Sequence, residues 1–588
     1  MSQPSISKVL RPADLTPNLI DYTSLRARFS WETARAELAG LPQNRGLNMA
    51  YEAVDRQVMG SSGHRVALRW LSRAGQVRDY TYAELQTLSN RFANVLHTLG
   101  LAKGDRVCTL SGRIPALYIT ALGTLKSGAA FCPLFAAYGP EPLLTRLGKA
   151  KARVLITTQA IYERKVAPLL DSLPHLRHVM VVRDGAGGSV PDGTDDFDDL
   201  LQRASDQFTI TATDANDLAL VHFTSGTTGT PKGALHGHGA VIAQHATARL
   251  ALDLHPGDVF WCTADPGWIT GTVYGIFAPL TVGATLLVDE ADFDWERWCR
   301  VLREQRVTVW YTTPTAARLM QRLGTAHIRR HRIQDLRFLA TVGEPLHPET
   351  VFWSQEAFGR PFHDNWWQTE TGAIMIANFA ALDIKPGSMG KPMPGIDAAI
   401  VRHGADSAIE CLPTPGHVGE LAVRVGWPSM FQGYLDDEAR FRRCFAAGWY
   451  LSGDLAQRDE DGYFWFVGRS DEVIKTSGHL IGPVEVETTL MAHPAVAETA
   501  VIGVPDPVAL EVVKAFVVPN AGYHPDQTLR RELLAYGRKH LGPGVAPKII
   551  EFRQHLPKTN SGKILRRQLK AETGLSAPGE QAVPDEHA

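Results

Sequence analysis

The ten residues Thr224-Ser225-Gly226-Thr227-Thr228-Gly229-Thr230-Pro231-Lys232-Gly233 combine three glycines, five hydroxyl side chains and one lysine. Glycine lets backbone N–H groups turn toward an anion, hydroxyls add donors, and lysine adds positive charge. That chemistry is a phosphate cradle. The apolar run Leu218-Ala219-Leu220-Val221-His222-Phe223 ahead of it reads as a buried strand that delivers the loop. The common nucleotide-loop pattern G-x-x-x-x-G-K-[ST] cannot be fitted, since Pro231 stands five after Gly226 and Gly233 follows Lys232. A solvated Ser/Thr/Gly surface loop is the plainer alternative.

Further stretches carry chemistry-bearing residues. Ala264-Asp265-Pro266-Gly267-Trp268-Ile269-Thr270-Gly271 is dense in turn formers yet holds a large aromatic, and Thr341-Val342-Gly343-Glu344-Pro345-Leu346 places an acid on a turn. In Asp364-Asn365-Trp366-Trp367-Gln368-Thr369-Glu370-Thr371-Gly372, two adjacent indoles on a polar turn are costly to leave in water, so they line a pocket or pack a core. Glu370 just after them suits a Mg²⁺ that bridges phosphate oxygens. Trp449-Tyr450-Leu451-Ser452-Gly453-Asp454-Leu455 ends in an acid placed for paired ribose hydroxyls. Lys563, in Ser561-Gly562-Lys563-Ile564-Leu565, reads as an exposed tip able to reach another domain. His236-Gly237-His238 hints at a metal, but no third ligand lies at a usual spacing.

The elements that must position these residues alternate. Thr81-x-x-Glu84 is a capping box, followed by Leu85, Leu88, Phe92, Val95, Leu96 and Leu99 on one helical face. Strands are expected at Arg106–Leu110, at Ala129–Pro133, from Arg153 to Thr157 and at Val179–Val182, with a helix over about Ala116–Lys126. Alternation of this kind predicts an α/β fold with parallel-rich sheets. Residues 1–45 read as a polar, irregular arm, 46–470 as the main domain, 471–575 as a small α+β domain and 576–588 as a disordered tail. Residues 183–216 read as a surface excursion.

Composition bounds the rest. A chain of 588 residues exceeds what one hydrophobic core organises, and 44% hydrophobic with 21% charged residues is ordinary for a soluble enzyme. The formal net charge of −2 argues against a bulk nucleic-acid binder. Cys108, Cys132, Cys262, Cys299, Cys411 and Cys444 are scattered without a C-x-x-C pair, as small hydrophobes in a reducing compartment would be. No run of 18 apolar residues exists and the N-terminus lacks a basic-then-apolar order, so a cytoplasmic protein with no membrane association is expected.

Taken together, from about Leu47 to Arg567, these motifs in this order resemble the adenylate-forming acid–thiol ligases, and most closely the acetyl-CoA synthetases. The resemblance implies a large N-terminal adenylate-forming domain and a small mobile C-terminal lid. It also implies ATP, Mg²⁺, coenzyme A and a short-chain carboxylic acid as ligands. Thr224, Ser225, Gly226, Thr227, Thr228, Gly229 and Lys232 would hold the β- and γ-phosphates, Thr369 the α-phosphate region, and Glu370 the Mg²⁺. Gly343, Glu344, Pro345, Asp364, Asn365 and Trp366 would lie about the adenine, with Asp454 and Arg469 on the ribose. Asp471 would be the lid hinge, Lys563 the bridge between carboxylate and α-phosphate, and Gly478 a neighbour of coenzyme A. The acid pocket implied is Trp268, Ile269, Thr270, Val342 and Trp367, with Trp367 closing it to long chains.

Two departures stand out: Leu480 where the family usually has arginine, and Asn365 where it usually has threonine. Acetate is the acid expected. Propionate, a branched short acid, a medium-chain acid, an amino-acid adenylation module and a non-catalytic nucleotide-binding relative are the alternatives. Acetylation of Lys563 by a lysine acetyltransferase, reversed by a deacetylase, would remove the charge that the first step needs.

Overall fold

In the computed structural model, the described residues are 4–8, 15–184, 189–224, 231–404, 408–470, 472, 474–476, 479–506, 510–558 and 564–573. Two compact units result: the chain up to Asp397 together with Val423–Tyr450, and Ala398–Ala422 together with the chain from Leu451 onward.

The first unit holds two large sheets. One has the order Lys391–Pro392, Ile376–Ala377, Phe362–Trp366, Phe338–Thr341, Val309–Thr312, Val259–Cys262, Thr285–Asp289, Val66–Leu71, Val77–Thr81. Its six inner strands, from Phe362–Trp366 to Val66–Leu71, are parallel throughout. The other runs Gly433–Tyr434, Lys232–Gly237, Leu218–Thr224, Ala130–Leu134, Arg106–Leu110, Val154–Thr158, His178–Val182, Asp195–Asp196. It is parallel from Leu218–Thr224 onward, with the first two strands added antiparallel. Strands buried on both faces carry continuous apolar runs, which is why Phe338–Thr341 and Ala130–Leu134 are buried at every position. Helix Pro115–Lys126 is hydrophobic all round and buried from Ala116 to Lys126. In open α/β sheets of this kind, ligands bind beyond the carboxyl ends of the strands.

The capping box forms as expected: Thr81 accepts from the Glu84 N–H, Glu84 accepts from the Thr81 N–H, and the helix runs Tyr82–Thr98. The arm is less irregular than its sequence suggests. Tyr22–Arg28 and Trp31–Ala36 are short helices capped by Asp21 and Ser30. Each is under two turns or about that, too short for a hydrophobic period to show, and tertiary contacts hold them: the Tyr22 hydroxyl donates to the Pro392 carbonyl at 2.8 Å. Likewise, the excursion contains the strand Asp195–Asp196 and the helix Phe197–Arg203, capped by Asp196.

The second unit has two sheets. Phe464–Arg469 pairs with Trp449–Arg458, and Leu510–Pro519 lies between Ile474–Thr476 and Val496–Asp506 and also pairs with Ile549–Phe552. Helices Pro483–Met491 and Gln527–Leu541 cover a core built on Ile474, Val486, Leu490, Val501, Val517 and Leu533. Cys411 is exposed and Cys444 half-buried, while the other four cysteines are buried.

Candidate active site

Carboxyl ends of the parallel strands in the first unit bring the expected residues to their turns. Thr224 ends one strand and Lys232 begins the next, directly opposite each other in antiparallel register. Ser225, Gly226, Thr227, Thr228 and Gly229 lie outside the described residues. The base of this hairpin is held twice: Lys149 Nζ donates to the Pro231 carbonyl at 3.1 Å, and the Leu435 N–H to the Gly233 carbonyl at 2.7 Å. Tyr434, on the strand that pairs with Lys232–Gly237, places its ring centroid 5.2 Å from the Lys232 ammonium. Its hydroxyl donates to Glu370 Oε1 at 2.6 Å. Burial first, then the adjacent Glu370 carboxylate, pushes the Tyr434 phenol up, so it remains a donor. One acid, one ammonium and one phenol thus meet beside the hairpin.

The turn from Gln368 to Gly372 is fixed through its backbone. Three successive carbonyls are each taken: Thr369 by His236 Nε2 at 2.8 Å, Glu370 by the Phe431 N–H at 2.9 Å, and Thr371 by Trp427 Nε1 at 2.9 Å and Ser429 Oγ at 2.7 Å. Tyr450 adds its hydroxyl to Gln368 Oε1 at 2.6 Å. Burial holds His236 down to about 4, so the imidazole is neutral with a single N–H, and its shorter carbonyl contact is the one to Thr369. His238 has a separate task, accepting the Met49 N–H at Nδ1. Among the described residues no group of three or more His, Cys, Asp and Glu could hold a metal ion. A Mg²⁺ carried by substrate phosphates needs only one or two carboxylates, and Glu370 could supply one, with one of its oxygens taken by Tyr434.

On the neighbouring strand ends, Gly343 adopts φ +93°, the left-handed region, and a Cβ there would meet nothing. Glu344 turns its carboxylate onto the helix Pro314–Gln321, accepting from Thr315 at 2.7 Å and Arg318 at 2.9 Å; Pro345 is half-buried. Asp364 is buried and accepts from Thr341 Oγ1 at 2.9 Å. Burial pushes its carboxyl up to about 8, against the Thr341 hydroxyl and two backbone N–H groups that pull it down. The acid therefore stays protonated near neutrality.

The sign of its pH effect follows. With a folded value near 8 and an ordinary value of 3.8, the native state binds the extra proton between those limits, so stability falls as pH rises through that window. Replacing Asp364 by asparagine should remove this slope. Thermal unfolding at pH 5 and pH 8.5 should show the variant gaining on wild type at the higher pH, and parallel curves would contradict the buried neutral acid.

Trp366 ends its strand, buried, rather than standing on a turn, and Trp367 follows, also buried. The Trp367 ring packs edge-on against Tyr274 at 5.2 Å and its Nε1–H donates to the Tyr311 hydroxyl at 3.2 Å. Tyr311 in turn donates to Asn365 Oδ1 at 2.9 Å. Asp265 organises the turn ahead of Ile269: its carboxylate accepts the Gly267 N–H at 2.8 Å and its carbonyl the Trp268 N–H at 3.0 Å. That turn launches the helix Ile269–Thr272, so Ile269 and Thr270 are buried while Trp268, just before it, is half-buried. Val342 is buried too.

In the second unit, Asp454 and Arg469 are cross-strand partners, with Arg469 Nη1 donating to Asp454 Oδ1 at 2.8 Å. Ser452 anchors that strand by donating to the Leu421 carbonyl at 2.5 Å. Lys558 and Ile564 form a bridge flanking residues 559–563, and half-buried Arg566 joins Glu472 at 2.9 Å to Glu487 at 2.8 Å. Lys563, Asp471 and Gly478 lie outside the described residues.

Sequence reading missed His236 as a support, along with Tyr434, Trp427, Ser429, Tyr274 and Tyr311. The first was visible only as half of a failed metal motif, and the others gave no local signal.

Comparison with known proteins gives the family. The AMP-binding enzyme family matches residues 54–435, and the AMP-binding enzyme C-terminal domain matches 485–563. An acetyl-coenzyme A synthetase of Bacillus subtilis (strain 168) is 44% identical over 94% of this chain and 95% of its own. One from Methanothrix thermoacetophila is 38% identical over 89% of this chain and 83% of its own. Among solved structures, an acyl-CoA synthetase of Brucella canis covers 94% of this chain and 99% of its own, at 35% identity and a TM-score of 0.73. The anthranilate CoA ligase AuaEII, in complex with anthranoyl-AMP, covers 90% of this chain and 97% of its own, at 27% identity and a TM-score of 0.81. The chain belongs to the AMP-binding enzyme family.

Proposed function

We propose that this protein is an AMP-forming acid–coenzyme A ligase whose acid is short, acetate first. The observation that carries the reading is the 44% identity to an acetyl-coenzyme A synthetase across 94% of the chain. In the first half-reaction a carboxylate oxygen attacks the α-phosphorus of ATP and pyrophosphate leaves. In the second, the thiolate of coenzyme A attacks the acyl carbon and AMP leaves.

Both partners of the first step are anions, so catalysis consists of positioning and charge stabilisation. Thr224, Lys232 and the loop between them hold the β- and γ-phosphates in this reading, and Thr369 faces the α-phosphate. Glu370 would hold the Mg²⁺ that ATP carries, which would supply charge neutralisation. The Gln368–Gly372 turn needs no reorganisation during the step because its carbonyls are already bonded. Gly343, Glu344, Pro345, Asp364, Asn365 and Trp366 lie about the adenine, and protonated Asp364 is suited to donate to a ring nitrogen. Asp454 and Arg469 take the ribose. Lys563 bridges the reacting carboxylate and phosphate; turning of residues 471–575 about Asp471 then withdraws it and admits coenzyme A beside Gly478.

Lysine acetylation at Lys563 fits the same reading, since it deletes that charge. No helix among the described residues is long and apolar enough to cross a membrane. A cytoplasmic location belongs to the proposed reading as an enzyme of ATP and coenzyme A.

Trp268, Ile269, Thr270, Val342 and Trp367 form the acid pocket in this account. The indole occupies volume that several methylenes of a longer acid would need, and forcing them in costs roughly 1–3 kcal/mol. Trp367→Gly should therefore move the best substrate from acetate toward C4–C6 acids. Comparison of kcat/KM across C2–C8 acids checks this: a profile unchanged from wild type removes Trp367 from the pocket.

A further inference from the structure

The structure assigns to Tyr311 and Asn365 the setting of acid chain length, through a directed hydrogen-bond relay that fixes the indole of Trp367. The inference rests on the reading of Trp367 as the pocket wall. Both links have one polarity. An indole N–H only donates, and an amide oxygen only accepts. The Tyr311 hydroxyl between them therefore gives its proton to Asn365 Oδ1 at 2.9 Å and offers a lone pair to Trp367 Nε1 at 3.2 Å. All three residues are buried.

Turning the indole over would strand its N–H in a site where an unpaired donor is heavily penalised. The relay thus selects one ring orientation. Burial also pushes the Tyr311 phenol well up, so its proton is present across the working pH range.

The sheet explains how a tyrosine reaches an asparagine two strands away. Tyr311 is in register with Ala340, and Ala340 with His363, so their side chains share one face, as does Asn365 two residues on. Ala340, which lies between Tyr311 and His363 in register, offers only a methyl on that face. Tyr274 completes the frame, edge-on to Tyr311 at 5.6 Å and to Trp367 at 5.2 Å. Ring packing alone confines the indole to a plane; the relay decides which edge faces the acid.

Tyr311→Phe keeps the ring and deletes the relay, so it separates the two contributions. In the full-length enzyme with saturating ATP and coenzyme A, the ratio of kcat/KM for butyrate over acetate should rise about 3- to 10-fold, the weight of one neutral hydrogen bond. The KM for ATP should stay at the wild-type value. Asn365→Ala should give the same change in the ratio, which cancels any effect on nucleotide use. In a Trp367→Gly background, Tyr311→Phe should add nothing, because the tyrosine acts through the indole. An unchanged ratio in Tyr311→Phe, or an equal added effect without the indole, overturns the relay. If Trp367→Gly shifts the profile while Tyr311→Phe does not, only this inference fails. If Trp367→Gly itself leaves the profile unchanged, the pocket reading fails and takes the relay with it.

Discussion

Replacing Lys563 by alanine should lower acid-dependent ATP–pyrophosphate exchange by roughly 100- to 1,000-fold, the loss typical of deleting one charge-stabilising donor. The physical reason is the meeting of two anions. A carboxylate approaching the α-phosphate gains negative charge around phosphorus as pyrophosphate departs, and an ammonium between them offsets both terms. The effect should be confined to the first half-reaction. When synthetic acyl-adenylate is supplied with coenzyme A, the Lys563→Ala enzyme should form thioester at close to the wild-type rate. Enzyme acetylated at Lys563 should behave as the alanine variant does. Exchange at the wild-type rate in either form would remove Lys563 from the adenylation step.

The second large effect is expected at Gly372, for reasons read directly from its surroundings. Its φ is +69°, and a Cβ added there would stand 2.3 Å from the Ser429 carbonyl oxygen and 2.9 Å from His236 Cε1 and Nδ1. Alanine therefore meets both a disfavoured backbone conformation, worth roughly 1–2 kcal/mol, and a clash that overpacking studies put at roughly 1–3 kcal/mol. The two groups struck are those that fasten the turn, His236 on Thr369 and Ser429 on Thr371. Gly372→Ala should thus cost about 2–5 kcal/mol in stability and displace Thr369 and Glu370. A misplacement near 1 Å is enough for about a 100-fold loss in kcat/KM. Chemical denaturation and initial-rate kinetics check the two parts separately. A variant with wild-type midpoint and rate would show that the turn tolerates a side chain and is not the rigid platform described.

Part of this candidate site was legible in the chain because its residue types cluster locally. An apolar strand running into glycines, hydroxyls and one lysine reads as an anion loop without tertiary information; the strand forms and Thr224 and Lys232 face each other across the hairpin, while residues 225–230 lie outside the described residues. The parallel sheets were readable from alternation, and the capping box at Thr81 formed as its spacing requires. The supports were not legible because topology supplies them. Tyr434 reaches Glu370 from 64 residues downstream, and Tyr311 reaches Trp367 from 56 upstream. His236 has no motif for its task; only the fold puts the Thr369 carbonyl in front of it. The protonation state of Asp364 was equally hidden, since it depends on burial. Short helices in the arm escaped because a hydrophobic period needs more than one turn to register.

Acid-dependent ATP–pyrophosphate exchange, run on the full-length protein with Mg²⁺ and a panel of C2–C8 acids, tests the central claim most directly. The account predicts exchange that requires an acid and is fastest with acetate. On adding coenzyme A, acyl-CoA, AMP and pyrophosphate should form in equal amounts. Absence of exchange with every acid in the panel, or formation of ADP and phosphate in place of AMP and pyrophosphate, would contradict it.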